Sequence, residues 1–163
     1  VQPSETEIKD FTESVGLAIL EWQKVEMALF LIFNTLIGAS DKRLSSAAFY
    51  SVVGLRTRLE MVNAVAVIAL ADSPLLTEWK ALCTKISDLS KRRNALAHCT
   101  LASVTDINGK VSLRLRSSVF DVRSGHDREY DRKQIQDFDR SFGRLAARLD
   151  VFWKRLPERV AKT

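Results

Sequence analysis

A chain of 163 residues fits one domain by length and can bury a sizeable core without disulfide staples. Hydrophobic residues make up 46% and charged ones 28%, with only six glycines and three prolines, which excludes a disordered, fibrous or disulfide-dense chain and points to a helix-rich one. The formal charge of +5 and a pI near 9.4 permit a phosphate-rich partner without demanding one.

No charged-then-apolar leader opens the sequence. Its best apolar stretch, Val62 to Ala71, falls well short of the ~18 residues that span a bilayer, so a cytoplasmic protein with no membrane partner is expected. Cys83 and Cys99 lack the spacing of a zinc or redox pair and are expected to be reduced thiols.

In chain order, Ser4 and Glu7 form a capping box, with acidic residues crowding the turns that follow. Apolar residues then recur at three- and four-residue steps from Phe11 to Leu36, Val15, Ile19 and Trp22 among them, predicting a long first helix that stops at Gly38. Glu26 lies beside this stripe, four residues after Trp22. It admits two readings: a salt bridge to a basic residue of the Lys91–His98 cluster further along the chain, or an edge carboxylate reaching water.

A turn at Gly38 to Asp41 precedes a second helix, capped by Ser45 or Ser46 and running to about Ala71 through Phe49, Val52, Val53, Leu59 and Val62. Arg56 and Arg58 are expected to be solvated on it. Ser73 as cap and Pro74 at the first helical position begin a third helix, which carries Trp79, Leu82, Ile86 and Leu89 into Lys91-Arg92-Arg93-Asn94-Ala95-Leu96-Ala97-His98.

From Leu101 the period falls towards two. Val111, Leu113 and Leu115 alternate with Arg114 and Arg116, and Asn108-Gly109 predicts a hairpin with a type I′ turn. A third short strand is placed at Val119 to Val122, followed by a loop containing His126. A last helix runs from about Asp131 to Leu156 on an apolar face that includes Ile135, Phe138, Phe142 and Phe152. The expected fold is therefore all-α: an antiparallel four-helix bundle forming a single domain over residues 1–163, with a small β-hairpin, about 101–122, inserted between helices 3 and 4.

The 91–98 run gathers charge, an amide and one of the two histidines at a helix end. Asn94 and His98, four apart, share a face; Arg93 and His98, five apart, diverge by about 140° unless the helix frays near Ala97. Cleaving RNA through its own 2′-hydroxyl needs a base for that proton, an acid for the leaving 5′-oxygen and a cation for the phosphate. Histidine can do either proton transfer and arginine can fork a phosphate, so no metal or other cofactor is required. One histidine beside Cys99 supplies too few ligands for zinc. The same cluster could instead simply tie helix ends together, with His98 favouring the helix dipole.

The order of features resembles the HEPN superfamily, the higher eukaryotes and prokaryotes nucleotide-binding domain: Trp22 and Glu26 in Trp-x-x-Val-Glu-x-x-Leu, then Arg93-Asn94-x-x-x-His98 closing a later helix, then an insertion and a final amphipathic helix. Only the Arg-Asn-x-x-x-His run is specific. The resemblance implies a homodimeric, metal-independent endoribonuclease of the kind found among toxins and phage-defence proteins, acting on RNA at a dimer cleft. It assigns Arg93 to the phosphate, His98 to proton transfer and Asn94 to positioning them, with Glu26 as a supporting acid of the first helix. Apart from the resemblance, Lys91, Arg92 and Arg93 in a row read either as phosphate contacts, Arg92 among them, or as a solvated helix end. An antitoxin or other protein partner is the further expectation, and non-catalytic relatives offer the alternative of a helical interaction or nucleotide-binding module. The hairpin departs from the minimal bundle, and no nucleotidyltransferase-like partner is encoded in this chain.

Overall fold

A computed structural model describes residues 2–117 and 128–157. The first helix, α1 (Glu5–Ile37), begins where the Ser4 hydroxyl accepts the Glu7 amide and the Glu7 carboxylate accepts the Ser4 amide. It ends at Gly38, whose left-handed φ of 65° lets the chain turn back on the last carbonyls. Phe11, Trp22, Val25, Leu29, Ile32 and Leu36 are buried along one side, whereas Ile19, expected on that stripe, is exposed.

The expected second helix is two. Asp41, not Ser45, caps α2 (Lys42–Ser51), its carboxylate accepting the Arg43 and Leu44 amides at 2.8 and 3.4 Å. Ser45 is buried instead and donates to the Asn34 side chain of α1. The helix breaks over Val52 to Gly54 and resumes as α3 (Leu55–Ala69), because Gly54 takes φ 87° and ψ 140°, a conformation outside any helix. Val53, expected on the buried face, consequently projects almost wholly into solvent.

The next helix, α4 (Leu75–His98), starts one residue later than expected: the Ser73 hydroxyl accepts the Leu75 amide at 3.2 Å, with Pro74 at the cap position. It runs without interruption to His98, and the Cys99 amide closes its last turn on Ala95. Strands β1 (Cys99–Thr105), β2 (Val111–Ser117) and β3 (Glu129–Tyr130) follow as an antiparallel sheet in that order. The hairpin is present but its turn is not type I′, since Asn108 keeps a negative φ and only Gly109 is positive, at 78°. The Asp106 carboxylate accepts the Asn108 and Lys110 amides, and the Gly109 amide bonds the Asp106 carbonyl, a type I turn completed by a left-handed glycine. The strand expected at Val119 to Val122 lies outside the described residues.

The last helix, α5 (Arg132–Lys154), is capped by Asp131 in a capping box with Gln134. It lies along α1, where the Trp22 and Phe142 rings meet edge to face at 5.0 Å. Trp79 of α4 stacks at 5.7 Å from Phe152 of α5, and α3 packs against both α1 and α4. Buried Leu115 and the Tyr130–Phe138 contact anchor the sheet to this single core. The chain is thus mostly helical, with five helices rather than four and a small three-stranded sheet among the described residues. No helix among the described residues is long and apolar enough to cross a membrane.

Two consequences are measurable. Gly54→Ala should destabilise the protein by about 1–3 kcal/mol in chemical denaturation, since nothing crowds a new Cβ there and only the backbone conformation is penalised. Asp131→Ala should cost about 1 kcal/mol at neutral pH, the usual worth of an N-cap. Hydrogen bonding from the Gln134 amide, followed by Arg114 at 3.0 Å, holds the Asp131 carboxyl below its ordinary 3.8. A depressed folded-state value means that the stabilisation is complete above 3.8 and is lost as pH falls through the lower one. The difference between wild type and Asp131→Ala should therefore shrink on acidification below that range.

Candidate functional site

The buried face of α4 repeats as Trp79, Leu82, Ile86, Leu89 and Leu96, and the position that the rhythm assigns between the last two is Arg93. An arginine on an apolar stripe needs an anion opposite it. Glu26 of α1 supplies one: Arg93 Nη2 lies 3.9 Å from Glu26 Oε1. Of the two readings of Glu26, the salt bridge to the basic cluster is the one found.

Its closer partner is Arg58 of α3, whose Nη1 donates to Glu26 Oε2 at 3.2 Å. The Trp22 indole donates to Oε1 at 2.9 Å. Arg58 was expected in solvent, yet only 16% of its side chain is exposed. Its Nε donates to the Val52 carbonyl at 2.9 Å, and its guanidinium lies over the Phe49 and Tyr50 rings at 5.6 and 5.1 Å. The break between α2 and α3 makes this possible, by freeing the Val52 carbonyl and folding the two aromatic rings back over α3. Arg56, by contrast, is solvated and pairs with Glu60 on its own helix.

The other residues of the cluster separate. Arg92 turns towards α5 and lies 5.3 Å from the centre of the Phe138 ring, away from Glu26. Lys91 pairs with Asp88 one turn back, in solvent. Asn94 is exposed and accepts from Arg93 Nη1 at 3.4 Å. His98 is the exposed last residue of α4, with no hydrogen bond or ion pair holding its ring among the described residues. Because α4 does not fray at Ala97, Asn94 and His98 share a face while Arg93 stands about 140° from His98. His126 lies outside the described residues.

Arg93 is 41% exposed, within ion-pair range of Glu26 but beyond hydrogen-bond range of it, and so keeps donors for a further anion. Together Glu26, Arg58 and Arg93 carry one net positive charge. No group of three or more histidine, cysteine, aspartate or glutamate residues that could hold a metal occurs among the described residues. Burial pushes the Cys83 thiol up to about 12, which disfavours its thiolate. No family model, curated protein or solved structure matches the chain.

Removing the carboxylate tests how much the fold relies on it. Glu26→Ala leaves the Trp22 indole and the Arg58 guanidinium without their acceptor in a largely buried setting, and should destabilise by about 2–4 kcal/mol in thermal or denaturant unfolding.

Proposed function

We propose that this chain is a homodimeric, metal-independent endoribonuclease of HEPN type, with α1, α3, α4 and α5 as its antiparallel four-helix bundle. The observation that supports this reading best is the placement of Arg93 on the core stripe of α4, beside Glu26, with exposed Asn94 and His98 completing the same helix end. A buried-side arginine that remains part-exposed and only loosely paired is suited to gripping a phosphate.

In this mechanism Arg93 holds the scissile phosphate, Asn94 positions the catalytic side chains, and one His98 imidazole takes the proton of the 2′-hydroxyl. The 2′-oxygen forms a bond to phosphorus as the bond to the 5′-oxygen breaks. A second proton donor delivers a proton to that oxygen, leaving a 2′,3′-cyclic phosphate and a 5′-hydroxyl. Each chain supplies one His98, so the second donor is the partner's copy, and assembly becomes a condition of activity. Cytoplasmic RNA is the proposed substrate, in a toxin or phage-defence setting with an antitoxin or other protein as restraint.

One observation favours a second reading. Glu26 joins α1, α3 and α4 through Arg58 and Arg93, which is also what a non-catalytic interaction or nucleotide-binding module would need to hold its helices. The readings part on RNA. With chelator present, purified protein should cleave RNA but not DNA, and Arg93→Ala and His98→Ala should each lower the rate by about 100-fold or more. Cleavage that survives both substitutions, or none from any RNA pool, would rule out the nuclease.

A further inference from the structure

One acid facing two arginines leaves an imbalance that the proposed mechanism does not use. Arg58 cannot itself serve a phosphate: it is largely buried, its Nε and Nη1 are committed to Val52 and Glu26, and its plane is covered by Phe49 and Tyr50. What it does is satisfy the carboxylate. With Trp22 on Oε1 at 2.9 Å and Arg58 on Oε2 at 3.2 Å, each oxygen of Glu26 already accepts a hydrogen bond, and Arg93 is left at 3.9 Å.

We infer that Arg58 is a positioning residue, which neutralises Glu26 and so keeps the Arg93 guanidinium available to an RNA phosphate. The inference rests on the phosphate-binding reading of Arg93. Without Arg58, a carboxylate only 21% exposed would have one cation in reach. Arg93 would close on it as a fork, the strong geometry for this pair, and an incoming phosphate would have to displace Glu26. Two arginines per acid thus divide the work: the sequestered one balances the buried charge, and the part-exposed one is held near it, aligned but not consumed.

The inference predicts a rescue that a merely structural arginine would not show. The probe is a fluorescent 2′-O-methyl RNA oligonucleotide, which lacks the attacking hydroxyl, titrated by anisotropy at fixed salt while unfolding is followed by circular dichroism. Arg58→Met, whose flexible stem can still pack on Phe49 and Tyr50, should weaken binding by about tenfold, the scale of one charge-assisted hydrogen bond. Adding Glu26→Gln, which keeps an acceptor for Trp22 but removes the charge, should restore affinity to near wild type.

A folded Arg58→Met protein that binds like wild type, or a double variant no tighter than Arg58→Met, would overturn the inference. Should Arg58→Met fail to fold, Glu26→Gln alone decides: binding at least as tight as wild type supports the inference, and weaker binding overturns it. Arg93→Ala in the wild-type background separates the two levels. If it leaves binding unchanged, the phosphate role of Arg93 falls and the inference with it. If it weakens binding while Arg58→Met does not, only the role of Arg58 falls.

Discussion

A carboxylate that is only 21% exposed at Glu26 is the constraint on which the middle of this protein depends. Taking a charge out of water costs several kcal/mol unless cations and donors meet it, and no single neighbouring helix meets it here. The response comes from α1 itself through Trp22, from α3 through Arg58 and from α4 through Arg93. That explains two departures from ordinary patterning: an arginine where α4 should carry a leucine, and an arginine buried against aromatic rings at the start of α3.

The same arrangement determines what the end of α4 can offer. The helix stays regular through His98 and passes directly into β1, so Asn94 and His98 are presented by a rigid element and not by a loop. Arg93 points towards α1 and α3 while His98 faces solvent about 140° away. One chain therefore presents the proposed phosphate grip and a single proposed proton-transfer group on well-separated sides of one helix. A second copy placed against that helix end would bring the missing group, which is why dimerisation stands at the centre of the proposed mechanism.

Much of this was legible in the sequence where a local rule and the core agreed. The Ser4–Glu7 box with Gly38 delimits α1, and Asp131 with a strong apolar rhythm delimits α5. Glu26 was legible as an acid in need of a partner. Arg58 was not, because its burial depends on a break that one glycine makes: with α2 and α3 read as one helix, Arg58 belongs to a solvated side. Gly54, next to two β-branched residues and soon after Phe49-Tyr50, was the available signal. The hairpin turn departs from its local signal as well: Asn-Gly suggests a two-residue loop, but the Asp106 side chain organises a longer one.

The proposed meeting of two helix ends can be measured directly. Ala97, exposed beside His98, can be changed to cysteine and spin-labelled in a Cys83→Ala, Cys99→Ser background, which leaves one thiol per chain. Helices in contact have axes about 8–10 Å apart, so double electron–electron resonance on the dimer should give one narrow label-to-label distance below about 25 Å. A sample with no dipolar modulation, or a distance far beyond that range, would contradict a cleft shared by two copies of His98.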